Sequence, residues 1–258
     1  AIGTDLADGR YVPFIQDKAL ISSTGLFLDA QRNTLWVANG DVGGSVQSGP
    51  ATQGKLAAVV AYDATTGARK GYYDLGALLP GAHFANDITV DALGHVYVTD
   101  SFAPVIYRID STGKATVFAR DERFTGEGFN LNGIVYHPDG YLLVNKHNSG
   151  ELFRIPVSDP KQITVVKLPE ALQGADGMVL REPGRIALVQ NGQANRALEL
   201  VSVDGWQSAT IKSSRKSIHA FPTAAALAGG DLYILNARLD SLLTPGAPKV
   251  NDFVLQKY

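Results

Sequence analysis

The chain of 258 residues contains no cysteine, which removes disulfides, thiolate nucleophiles and Cys-ligated zinc from consideration. Net charge is nearly absent too, because 23 basic and 25 acidic side chains leave −2 at pH 7. Such a balance gives no electrostatic reason to expect nucleic acid or an anionic membrane as partner. No apolar run reaches the length of a membrane span, and the opening Ala-Ile-Gly-Thr-Asp is not a signal peptide. No stretch carries a useful helical period. The chain does not begin with methionine, which reads as processing or trimming upstream; the compartment is left open, with a soluble secreted or periplasmic protein slightly favoured.

What is present is a repeated sentence of short strands. In residues 86–109, three apolar runs (88–90, 96–98 and 105–109) are separated by Asp91-Ala-Leu-Gly94 and by Asp100-Ser-Phe-Ala-Pro104. A fourth run, 115–118, follows Ser111-Thr-Gly113. Runs rich in Val, Ile and Tyr and bounded by Gly, Asp and Pro predict an antiparallel meander of four strands. The pattern returns at 24, 132, 176 and 223. The lead positions 86, 132, 176 and 223 stand about 44 to 47 residues apart, the period of a four-stranded propeller blade. The expectation is an all-β, single-domain β-propeller over 1–258.

Blade counting leaves two gaps. Residues 2–6 and 10–15 form an orphan hairpin around Gly9, and the fifth copy ends with its third strand at 253–257. Propellers avoid exposed unpaired edges. The simplest arrangement is therefore six-bladed, with the hairpin as the outer pair of an incomplete first blade whose inner pair lies upstream of Ala1. A five-bladed ring closed by the hairpin is the alternative. The polar insertion at 40–54 is expected to be an exposed, mobile loop.

In a propeller the first residue of each inner strand sits at one mouth of the channel. Thr24, Asn86, Asn132, Asp176 and Thr223 therefore converge. Two amide oxygens and a carboxylate are hard ligands that suit Ca²⁺ or another hard divalent cation. Capping of local backbone is the competing role for each of them. His83, His147 and His219 share the mouth face and are candidates for proton transfer or substrate contact. His95 and His137 fall in turns of the opposite face and are expected to be solvent-exposed. Lys146, Asn148 and Asn236 are candidates for polar substrate groups. Phe84, Phe124, Phe129 and Phe221 could form an apolar wall, with core packing as the competing role.

Phe-Ala-Asn-Asp-Ile-Thr-Val at 84–90, Leu-Asn-Gly-Ile-Val-Tyr-His-Pro-Asp-Gly at 131–140 and Ala-Asp-Gly-Met-Val-Leu at 175–180 resemble the superfamily of gluconolactonase, senescence marker protein and paraoxonase, which includes calcium-dependent phosphotriesterases. The resemblance implies a six-bladed propeller holding a catalytic divalent ion, with Asn86, Asn132 and Asp176 as ligands. The family's glutamate ligand has no counterpart here and by blade order would lie upstream. Its sugar-lactone arginine is replaced by Phe84, and the paraoxonase histidine falls near Thr24. The function so implied is a Ca²⁺-dependent hydrolase acting on a small-molecule lactone, cyclic ester or phosphotriester. Asp176, His83 and His219 are its catalytic candidates, and Phe84, Phe129, His147, Thr24 and Thr223 its substrate contacts. A non-enzymatic binding propeller with a structural ion is the second reading. A metal-free, strictosidine-synthase-like propeller is the third, disfavoured because no lead residue is a glutamate.

Overall fold

Each apolar run becomes one strand, and successive strands pair as antiparallel neighbours. The computed structural model describes residues 2–5, 11–244, 246–250 and 253–258. The chain divides into two units, Ala1–Phe118 and Ala119–Tyr258.

In the first unit, β1 (Ile2–Asp5) pairs with β2 (Tyr11–Ile15) as a two-stranded sheet. The turn expected around Gly9 lies outside the described residues. A four-stranded meander follows: β3 (Ser22–Asp29), β4 (Thr34–Gly40), β5 (Ala57–Asp63) and β6 (Arg69–Asp74). The organising stretch forms the next one, with β7 (Ala85–Val90), β8 (Val96–Asp100), β9 (Val105–Ile109) and β10 (Ala115–Arg120), the last crossing the unit boundary.

The second unit holds three more sheets. The first contains β11 (Leu131–His137), β12 (Tyr141–Lys146), β13 (Leu152–Pro156) and the short β14 (Thr164–Val165). The second contains β15 (Ala175–Glu182), β16 (Arg185–Gln190), β17 (Arg196–Val201) and β18 (Thr210–Lys216). The third has three strands among the described residues: β19 (Pro222–Ala228), β20 (Asp231–Asn236) and β21 (Val254–Lys257). Five meander sheets match the five-bladed alternative. The six-bladed count is not borne out among the described residues, where β1 and β2 pair only with each other.

Burial explains the strand grammar. Residues 57–62 of β5 and the whole of β8 and β12 are buried, because the middle strands of a sheet are covered on both faces and so read as continuous apolar runs. The outer strands β6 and β18 contain no buried residue and are exposed at most positions. Turns follow from aspartate side chains folding back on the main chain. Asp91 Oδ1 accepts from Leu93 N and His95 N, and Asp110 Oδ1 from Thr112 N and Lys114 N. Gly94 and Gly113 supply the positive φ of 88° and 86° that closes these two turns.

The 40–54 insertion is exposed or half-buried over most of its length, as expected, but has a buried centre, and the expectations for His137 and His95 need correction. The 40–54 insertion is built around Asp41, which is buried and accepts from Gly43 N, Ser48 Oγ and Thr52 Oγ1 at 2.7, 2.5 and 2.7 Å. A polar loop thus has a polar centre of its own. His137 is buried, not exposed: its ring stacks on Tyr141 at 4.2 Å, Nε2 donates to Pro183 O, and Nδ1 accepts from Asp139 N. His95 is half-buried, with its Nδ1 2.9 Å from Asp91 Oδ2.

Candidate functional site

The lead residues share a backbone feature that the sequence does not display. Each innermost strand carries one extra residue at its start, a β-bulge where pairing with the second strand slips. In the first unit the slips lie between Ser23 and Leu26, and between Ala85 and Ile88. In the second unit they lie between Leu131 and Ile134, Ala175 and Met178, and Pro222 and Ala224. Thr24, Asn86, Asn132, Asp176 and Thr223 all sit inside these slips. A bulge leaves its residue out of the ladder and re-aims the side chain.

Close backbone approach holds neighbouring bulges together within each unit. In the first, a Cβ on Gly25 would lie 2.6 Å from Asn86 O, and Thr24 Oγ1 donates to Ala85 O at 2.9 Å. In the second, a Cβ on Gly133 would overlap Asp176 O, and one on Gly177 would lie 2.8 Å from Thr223 O. Asn145 bridges the same pair of strands, accepting from Gly133 N and donating to Asp176 O.

Polar side chains then orient the lead groups. Asn86 Nδ2 donates to Ser101 Oγ at 2.8 Å, which commits the amide nitrogen and turns the oxygen elsewhere. Asp176 Oδ2 accepts from Asn191 Nδ2 at 2.6 Å. Asn191 Oδ1 lies 3.0 Å from His147 Nε2. Asn191 is buried, with its backbone N bonded to Gly174 O, while Gly174 N donates to His147 O. Phe129 meets the His147 ring edge-on, with centroids 6.2 Å apart. Burial pulls the His147 pKa below the ordinary imidazole value, partly offset by the Asn191 bond.

Asn191 was absent from the sequence-derived candidates, and a signal for it exists. Ser101 and Asn191 each stand 15 residues after the lead residue they bind. The same step from Asn132 reaches His147 (132 + 15). In the blades of Asn86 and Asp176 the residue after the second strand is therefore the partner of the lead residue.

The remaining candidates are elsewhere. His83 is buried, with Nδ1 2.8 Å from Asp100 Oδ2 and Nε2 2.8 Å from Leu79 O. Both neighbours accept, an arrangement that favours the imidazolium, which donates at both nitrogens. The bond to Asp100, against the cost of burial, raises its pKa. Phe84 is buried between Phe102, 5.5 Å away by ring centroid, and Gly40, where a Cβ would strike its ring. Phe124 packs edge-on to Phe153 in the core. Both therefore take the packing role. Lys146 is buried with Nζ on the carbonyls of Arg123 and Thr125. Asn236 is buried and accepts from Ser217 Oγ and His219 N. These two brace the loops leading into their sheets, as Asn148 does by donating to Glu127 O and Asn130 Oδ1. His219 and Thr223 are half-buried, as is Phe221, whose φ is 51°.

Among the described residues no three His, Cys, Asp or Glu side chains cluster as a metal site, so a cation here would depend on amide oxygens. Among the described residues no helix is long and apolar enough to cross a membrane.

By sequence, no family model and no curated protein matches the chain. By shape it is similar to the major Malassezia sympodialis allergen Mala s 1, with TM-score 0.68 and 20% identity over 91% of this chain and 77% of that one. A provisionally named gluconolactonase gives TM-score 0.61 at 14% identity, over 88% and 74% of the two chains. Luciferin-regenerating enzyme gives 0.59 at 14% identity, over 92% and 90%. Likeness at these identities carries architecture alone. The chain is an all-β β-propeller of four-stranded blades.

Proposed function

We propose that this chain is a hydrolase of lactones or other small esters, with Ca²⁺ or a similar hard cation as cofactor. The observation that carries the proposal is the bulge at the start of every inner strand. It takes an oxygen-bearing side chain out of the ladder at the same register each time, which local capping does not require. The residues fit a hard cation in kind. Asn86 has its amide nitrogen committed to Ser101, Asn132 is a second amide, and Asp176 is a carboxylate with one oxygen held by Asn191. Within the second unit Asn132 and Asp176 would hold the ion, with Thr223 in the equivalent bulge, and Asn86 and Thr24 are their counterparts in the first unit. Bound there, such an ion would polarise an ester carbonyl and stabilise the oxyanion formed on attack by water.

The chain's own residues supply orientation. Asn191 fixes the Asp176 carboxylate, and Asn145 fixes the backbone beneath it. Phe129 beside His147 gives an apolar edge, which favours apolar lactones and aryl esters over sugar lactones. The gluconolactonase among the structural neighbours is consistent with this class.

The test combines calcium titration by calorimetry with initial rates on a panel of apolar lactones, aryl esters, aldonolactones and phosphotriesters. Hydrolysis is expected to need calcium. Asp176→Asn should lower calcium affinity or rate by at least about 100-fold. Calcium binding without turnover of any ester would point to the non-enzymatic reading, and no calcium binding at all would sink the proposal.

A further inference from the structure

We infer that His147 is the general base of this site, with Nδ1 as its proton-accepting atom, and that Asn191 is the positioning residue that makes it so. The inference rests on the hydrolase reading. Its geometry is a directed chain of hydrogen bonds in the second unit: Asp176 Oδ2 to Asn191 Nδ2 at 2.6 Å, then Asn191 Oδ1 to His147 Nε2 at 3.0 Å.

Direction follows from what each atom can do. An amide nitrogen only donates and an amide oxygen only accepts. The carboxylate oxygen of Asp176 therefore selects the Asn191 rotamer that presents its nitrogen, because the flipped amide would set oxygen against oxygen. With the nitrogen committed, Asn191 Oδ1 faces His147 and can only accept. Nε2 must carry the proton. In a neutral imidazole the other nitrogen is then the base. Nδ1 makes no hydrogen bond to any described residue, and the His147 side chain is only half-buried.

Three features keep the ring in that state. Burial lowers the His147 pKa, which holds the ring neutral near pH 7. Phe129 contacts its edge, and the Gly174 N to His147 O bond fixes its backbone. Gly174 has φ 78°, a conformation that suits glycine and lets one short turn hold both His147 and Asn191. The sequence shows the same pairing, because His147 and Asn191 occupy equivalent positions of successive blades.

The chemical step balances without a further reagent. His147 Nδ1 takes a proton from water as the water oxygen bonds to the ester carbonyl carbon. As positive charge develops on the ring, Asn191 Oδ1 accepts a stronger bond from Nε2–H, and Asp176 polarises that amide from its far side. The tetrahedral intermediate then expels the alkoxide by breaking the C–O bond, and Nδ1–H returns the proton to it. Lactone and water become a hydroxy acid.

The test reads the imidazole directly. Nitrogen-15 NMR on the full chain should show His147 as the neutral tautomer protonated at Nε2. In Asn191→Leu, which keeps bulk and loses the acceptor, that tautomer should give way to a mixture. On whichever panel ester the wild type cleaves, Asn191→Leu should lower kcat by about 10–100-fold with KM changed less than about twofold. His147→Gln should lower kcat by about 10²–10⁴-fold. A wild-type ring protonated at Nδ1 would overturn the directed chain. An active wild type with unchanged kcat in His147→Gln would overturn the base and leave the hydrolase reading standing. A wild type inert on every ester would remove the reaction, and with it the base, whatever the tautomer.

Discussion

Two histidines, one in each unit, show how neighbours decide what an imidazole becomes. His83 lies three residues before Asn86 and faces an acceptor at each ring nitrogen, the Asp100 carboxylate and the Leu79 carbonyl. Tyr107 OH closes the same group, 3.2 Å from Asp100 Oδ2. Surroundings of this kind favour the protonated ring and suit it to a clamp. His147 faces one acceptor, Asn191 Oδ1, and keeps its second nitrogen open. It stays neutral and can accept a proton. The same residue type yields a structural ion pair in one unit and a base in the other, and the count of acceptors makes the difference.

The largest effect should come from breaking the clamp. Asp100 uses its other oxygen to accept from Phe84 N, Phe102 N and Ala103 N, so the ion pair also anchors the loop leading to Asn86. Removing one partner of a buried ion pair strands the other, at a cost of about 3–5 kcal/mol. His83→Ala is expected to lose that much in urea unfolding. A loss under about 1 kcal/mol, the range of an exposed pair, would show that the pair is not the clamp described.

Next in size is the bulge that the His147 site depends on. At Gly133 a Cβ would overlap Asp176 O and approach Asn145 Nδ2 to 2.7 Å. Backbone cannot yield there as a flexible side chain would, so Gly133→Ala should destabilise by about 1–3 kcal/mol, the usual cost of overpacking. The Asp176–Asn191–His147 chain should be displaced with it. Unchanged stability together with an unchanged His147 tautomer would contradict the tight approach of β11 and β15.

Much of this was legible in the sequence, for reasons that can be named. The Asp-x-x-Gly turns at Asp91 and Asp110 announce themselves because a side chain bonds its own backbone within four residues. Lead residues are legible as motif starts. The bulges are not, since a register slip is a property of two paired strands and not of either alone. Phe84 and His83 look like loop residues because the partners that bury them, Gly40, Phe102 and Asp100, belong to other turns of the chain. Asn191 looks like any asparagine before a glycine until the 15-residue step from lead to partner is known.

The smallest and most discriminating prediction is the pH dependence of stability, where the two histidines should act with opposite sign. His83 has a folded-state pKa raised above the ordinary 6.5, by the Asp100 bond first, against the cost of burial. Its contribution is fully present below about pH 6.5 and is lost as pH rises through the raised value. His147 has a folded-state pKa lowered from the same 6.5, by burial first. Its contribution is fully present above about pH 6.5 and is lost as pH falls through the lowered value, because the unfolded chain then binds the proton more readily. Carboxylates titrate in the acid range too, so the reading must be a difference between variants. Subtracting the Tm–pH curve of His147→Gln from wild type should leave a term that weakens towards acid, and subtracting that of His83→Gln should leave one that weakens towards alkali. Two difference curves of the same sign would mean that the rings do not differ in charge, and the contrast between clamp and base would fail.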